Sequence, residues 1–219
     1  RPWVTPSSTH WPDWRRSTTP PSASTTSANR TASSNDRYRD GWPSTNGTPA
    51  HRGYPGGTFP DLDRIAGWLE DNRPGRFRPG LLHGDYHVAN VLYDHRAPRV
   101  AAIVDWEMAT VGDPLLDLGV LLAIWPDDPR ESDLYESALG RAGNLPSRSA
   151  IVARYAERSD RDLDALDWYT VLASFKLGII LEGTYARSCD GKRPRDVGER
   201  LHRYADGLFV RARGIIAGA

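Results

Sequence analysis

The chain of 219 residues holds one cysteine and one methionine, and its only lysines are Lys176 and Lys192. A lone Cys189 rules out an internal disulfide, so nothing ties the fold to an oxidising compartment and a reducing, cytoplasmic setting is the expectation. No apolar run approaches the roughly 18 residues that a membrane-spanning helix needs, and no secretory leader is visible, so no membrane partner is expected. Excess charge is missing too: 28 basic and 28 acidic residues give a formal net charge of +0. A nucleic-acid binder would carry a basic face or stripe, so no nucleic-acid partner is expected either. The chain begins at Arg1 and its methionine is Met108, which reads as a fragment or a processed product.

Apolar residues are scarce at one end only. From Arg1 to Pro60, serine, threonine and proline fill 28 positions, and Val4 is the only residue among Ile, Leu, Val and Met. Such a segment cannot bury enough apolar surface to offset its chain entropy, so residues 1–58 read as a disordered low-complexity segment. Trp3, Trp11, Trp14 and Trp42 are foreign to an ordinary linker. With the strong preference for arginine over lysine, they leave two origins open, a natural tail or an out-of-frame reading of GC-rich DNA.

Residues 59–219 read as a folded domain, and the 39% apolar content permits a real core. "PDLDRIAGWLEDNRPG" places Leu62, Ile65, Ala66 and Leu69 on one helical face, with Asp61 as N-cap and Pro74-Gly75 as the stop. Short strands follow at residues 81–83, 90–93 and 100–104. The third is almost wholly apolar and is expected to be buried. Pro114 opens an apolar helix that Pro126 ends, and helical patterns continue at about 131–142, 147–158, 162–187 and 195–216. The fold class is α+β, a small β-hairpin sheet on a helical bundle.

Between the first two strands lies "HGDYHVAN", and three readings of it compete. His83, Asp85 and His87, two apart in an extended segment, share a face and suit a zinc-dependent hydrolase. Alternatively, the polar side chains only satisfy backbone groups at a tight turn. The third reading takes in Asp105 as well. A loop Asp85, an Asn90 five residues on, a strand pair and then Asp105 is the spacing of a kinase-like phosphotransferase core. Phosphoryl transfer to an alcohol needs a carboxylate to orient the hydroxyl and take its proton, which suits Asp85. It also needs oxygen ligands that hold Mg2+ against nucleotide phosphates, which suits Asn90 and Asp105.

"HGDYHVAN" followed by "IVDWEMATVGDPLLDLG" resembles the aminoglycoside phosphotransferase-like (choline-kinase-like) superfamily. The form of the second motif, with "FKLGIILEGTYAR" at 175–187, is most similar to the phosphotransferase domains attached to certain acyl-CoA dehydrogenases. The resemblance covers about residues 60–217 and implies the C-terminal lobe of a protein-kinase-like fold. It also implies ATP- or GTP-dependent phosphorylation of a small-molecule hydroxyl, on an antibiotic or a hydroxy-acid type metabolite. Carried over residue by residue, Asp85 matches the catalytic base, while Asn90 and Asp105 match the magnesium ligands. His83 and Asp117 match positions that brace the loop, and His87 is a polar-network residue. Glu107 is expected to point away from a metal, Asp113 to cap the next helix, and Trp168, Tyr169, Phe175 and Tyr185 to pack in the core.

The partner lobe of a kinase supplies a glycine-rich cover and a phosphate-binding lysine. Both lysines follow the catalytic loop here, and "GYPGG" at 53–57 does not supply the strand context of a cover. Weak or absent transfer by this chain alone is therefore expected, and a non-catalytic binding or scaffold protein of the same fold is the alternative.

Overall fold

In the computed structural model of the chain, the structure describes residues 53–55, 59, 61–76, 78–126 and 144–219. The disorder expected for 1–58, Gly53–Pro55 apart, and the helix expected at 131–142 lie outside the described residues. Among those described, five α-helices carry the mass of the fold: α1 (Leu62–Asp71), α2 (Leu115–Ile124), α3 (Arg148–Ala156), α4 (Leu166–Cys189) and α5 (Arg195–Gly218). Four short strands lie between α1 and α2: β1 (Gly80–Leu82), β2 (Val91–Tyr93), β3 (Val100–Ile103) and β4 (Thr110–Gly112).

α4 is the central helix, and its sequence explains why. Val171, Ala173, Ser174, Gly178 and Glu182 are all buried along it, so it is covered on several sides. α5 is one-sided: Tyr204, Ala205, Leu208, Phe209 and Ala212 recur at helical spacing and form its buried face. Against these two, α1 inserts Ile65 and Leu69 among Val171, Ala205, Phe209 and Ala212. Each large side chain so enclosed contributes about 1.5–3 kcal/mol. Asp61 does not cap α1 through its side chain; it pairs with Arg213 of α5. A second cluster joins Leu115, Leu118 and Leu122 of α2 to Leu166 and Tyr169 of α4. Trp168 and Phe175 pack in the first cluster, as expected of core aromatics, while Tyr185 lies outside the core clusters, half-buried against His202 at 4.6 Å. Ahead of α1, Tyr54 donates to the buried Glu182 carboxylate at 2.6 Å, and His202 Nδ1 lies 2.7 Å from its other oxygen.

The strands make two antiparallel ribbons, one nested in the other. β1 pairs with β4 in the register Leu82↔Thr110, and β2 pairs with β3 in the register Val91↔Ile103. Asp94 closes the inner turn by accepting from Arg96 N and from Nε and Nη2 of Arg99. β4, inside "MATVG", is an element that periodicity did not reveal. The burial expected for residues 100–104 is also corrected: Val100 is 52% exposed and Ala101 and Ala102 are exposed as well. A two-stranded ribbon has two faces to cover, and here only its end is covered, where Val91 is buried and Ile103 half-buried. Composition alone does not distinguish a core strand from an exposed apolar one.

Candidate active site

The site is built on the turns between these strands. Leu82 is buried and ends β1, and Gly84 follows with φ +85. A Cβ on Gly84 would stand 2.5 Å from the Met108 carbonyl oxygen, so only glycine lets the loop lie against the 106–108 turn. That left-handed residue also breaks the alternation of an extended strand. His83, Asp85 and His87 do not come together as a metal-binding group among the described residues, which counts against the zinc reading.

His83 is 2% exposed and both its ring nitrogens are occupied. Nε2 lies 2.8 Å from the Val104 carbonyl, which only accepts, so Nε2 carries the proton; Nδ1 then accepts from Asp85 N at 3.3 Å. Trp106 and Tyr86 flank the ring at centroid distances of 4.7 and 6.0 Å. Burial, with Tyr93 and Asp117 nearby, pushes the Tyr86 phenol above its ordinary pKa. From the first turn of α2, the Asp117 carboxylate accepts from His83 N at 2.6 Å and from Gly84 N at 2.9 Å.

Asp85, His87 and Asn90 form the second group. His87 Nδ1 accepts from Ala89 N at 3.2 Å and caps the short turn Val88–Asn90. Its Nε2 lies 3.4 Å from both Asp85 Oδ2 and the Asn90 amide nitrogen. The Asn90 amide nitrogen donates to Asp85 O at 2.9 Å and lies 3.4 Å from Asp85 Oδ2. With two acceptors claiming the nitrogen, the Asn90 Oδ1 faces elsewhere and takes no hydrogen bond from the described residues. The Asp85 side chain stays 44% exposed, open to a reactant.

Asp105 joins this group through the inner ribbon. Val104 N donates to Asn90 O at 2.9 Å, so Asp105 begins one residue beyond the partner of Asn90. Its backbone is left-handed, with φ 65 and ψ 54, a conformation that Asp tolerates better than most residues but that still costs energy. The flanking contacts hold it: His83 on the Val104 carbonyl, Asn90 on the Val104 amide, and Trp106 Nε1 on Ile103 O at 2.8 Å. The Asp105 carboxylate is exposed and takes no partner among the described residues, and Glu107 is exposed in the same turn. Asp113 Oδ1 accepts from Leu115 N at 3.0 Å, a capping contact at the start of α2.

Asn90 and Asp105 offer hard oxygen donors at one end of the ribbon, the donor set that Mg2+ prefers. Among the described residues no three His, Cys, Asp or Glu side chains form a metal-binding group. A magnesium held by two protein oxygens, with nucleotide phosphates and water completing its shell, fits that arrangement. Sequence reasoning missed Gly84 and Trp106, and the signal that could have found them was their place beside His83 and Asp105.

Residues 16–169 match the phosphotransferase enzyme family. The rat acyl-CoA dehydrogenase family member 11 is 30% identical over 139 residues, which are 59% of this chain and 17% of that protein. Mouse acyl-CoA dehydrogenase family member 10 is 26% identical over 149 residues, 66% of this chain and 14% of that protein. The chain thus spans less than a fifth of the length of these curated relatives. A crystal structure from Ralstonia eutropha, of a protein provisionally named an aminoglycoside phosphotransferase, superimposes with a TM-score of 0.57 at 24% identity. That likeness covers 74% of this chain and 51% of the other, and it shows a kinase-like fold.

Proposed function

Because the chain belongs to the phosphotransferase enzyme family, we propose that it binds a magnesium–nucleoside triphosphate, ATP or GTP, and passes the terminal phosphoryl group to a small-molecule hydroxyl. The observation that carries this reading is the convergence of Asp85, Asn90 and Asp105 at one end of the β2–β3 ribbon. Asn90 Oδ1 and the Asp105 carboxylate would hold the magnesium. The ion, when bound, neutralises phosphate charge and fixes the phosphate oxygens. Asp85 orients the acceptor hydroxyl and accepts its proton. His87 and the Asn90 amide keep the Asp85 carboxylate turned toward the loop opening, and His83 and Asp117 hold the loop that carries all of them. An antibiotic or a hydroxy-acid metabolite is the acceptor class, and no nucleic acid or membrane takes part. Among the described residues no helix is long and apolar enough to cross a membrane.

One observation favours a second reading. Lys176 and Lys192 lie on and after α4, so within residues 1–219 no lysine precedes the loop. A nucleotide-binding protein without transfer would show this. Mn2+ affinity by electron paramagnetic resonance with ATP or GTP, and phosphate transfer to a panel of alcohols, separate the two. On the proposed function, Asp105→Ala weakens metal–nucleotide binding at least tenfold, whereas Asp85→Asn preserves binding and lowers turnover by about 10²–10⁴. Binding that depends on Asp105 without any transfer supports the second reading. Transfer indifferent to both substitutions, or stoichiometric zinc bound in preference to manganese, refutes the first.

A further inference from the structure

Arg161 stands between Asp160 and Asp162 in the loop before α4, a pattern that reads as a solvated charge cluster. Its side chain is instead largely enclosed, at 14% exposure. Nη1 donates to the Arg78 carbonyl at 2.6 Å and lies 3.6 Å from Asp113 Oδ1, in a carboxylate that is itself 8% exposed. Gly80 makes room for it: a Cβ there would stand 2.8 Å from Arg161 Nη2 and 2.7 Å from Pro114 Cγ. In return, Arg78 Nη1 reaches back to Asp160 Oδ1 at 2.7 Å.

One guanidinium therefore joins two places that the site depends on. Residues 78–80 lead into β1, whose far end delivers His83 and Gly84. Asp113 starts α2, whose first turn delivers Asp117. The bonds from His83 N and Gly84 N to Asp117 close the same pair of elements at the other end. β1 is thus fastened to α2 twice, once by Arg161 and once by Asp117, with three residues of strand between.

We propose that Arg161 is a positioning residue that sets how β1 sits on α2 and, through it, where the His83–Asn90 loop stands. Its consequence for turnover rests on the phosphotransferase reading of that loop; the placement itself does not. Nη1 meets the carbonyl and the carboxylate together and is held there by the rigid guanidinium plane, whereas a lysine ammonium restores the charge on a flexible, more strongly hydrated stem.

The test compares Arg161→Met and Arg161→Lys with the unmodified chain by amide hydrogen exchange. In Arg161→Met, amides of 80–84 and 115–117 should exchange at least about tenfold faster, while those around Val171 and Leu208 stay within about twofold. Arg161→Lys should recover part of the protection. In the transfer assay, Arg161→Met should lower kcat about tenfold with the nucleotide KM within about twofold. Acceleration spread evenly over the core would make Arg161 a general stability element and overturn the inference, as would unchanged exchange at 80–84. Local acceleration in a protein that transfers no phosphate upholds the placement and counts against the proposed function instead.

Discussion

Asp117→Asn removes one oxygen at a place where the structure uses two. The Asp117 carboxylate accepts from His83 N at 2.6 Å and from Gly84 N at 2.9 Å. Asparagine keeps a single acceptor and turns an NH2 group toward the other backbone N–H, donor against donor. A hydrogen bond to a charged group is worth about 1.5–3 kcal/mol. Asp117 is only half-buried, so the lower part of that range applies. Removing the negative charge from the first turn of α2 adds about 0.3–1 kcal/mol. The sum is about 2–3 kcal/mol, which for a domain of this size lowers Tm by roughly 4–12 °C. Urea unfolding measures it directly, and exchange at the His83 and Gly84 amides locates it. Asp117→Ala leaves both N–H groups without their acceptor and should cost more. If Asp117→Asn lies within about 0.5 kcal/mol of the unmodified chain, the carboxylate does not hold the loop and the bracing argument is wrong.

Gly84→Ala combines a left-handed backbone, about 1–2 kcal/mol for any other residue, with a methyl group driven at the Met108 carbonyl; a loss of about 2–4 kcal/mol in urea unfolding is expected. An unchanged midpoint would mean that the loop does not lie on the 106–108 turn. Tyr169 supplies a pH prediction. Burial and then the neighbouring Asp113 push its phenol from 10.0 up to about 12. Below 10.0 the folded and unfolded states both keep this proton; between 10.0 and about 12 only the unfolded chain releases it, so stability falls across that window. Tyr169→Phe should flatten the fall in alkaline urea titrations, and an identical slope would show that this phenol is not the source.

Residues 81–125 illustrate what local pattern carries and what it does not. The spacing of Asp85, Asn90 and Asp105 around two short apolar strands was legible because a hairpin needs only alternating register and a turn, both local properties. The paired strands β2 and β3 bring Asn90 and Val104 face to face. α2 was legible from Pro114 and its apolar run, and α5 from the helical pattern at 195–216. The pairing of β1 with β4 was not, because it joins segments 28 to 32 residues apart and Thr110–Gly112 has no pattern of its own. The exposure of β3 was misread for a related reason. Apolar composition states what would gain from burial, and only the arrangement of the other elements decides whether cover is there.

The chain order of residues by itself determined which side chains are available for chemistry: oxygen donors at 85, 90 and 105, two late lysines, and a single cysteine that cannot pair internally. It determined the described helices too, since a helix face is written within a few turns of chain. Tertiary structure alone decided orientation. His83 turns both ring nitrogens to backbone partners, Asn90 spends its amide nitrogen on Asp85, and Arg161 folds away from its acidic neighbours to reach Arg78 across 83 residues. A polar side chain has several partners it could satisfy, and the one it takes is set by which backbone groups the rest of the fold has left unpaired beside it.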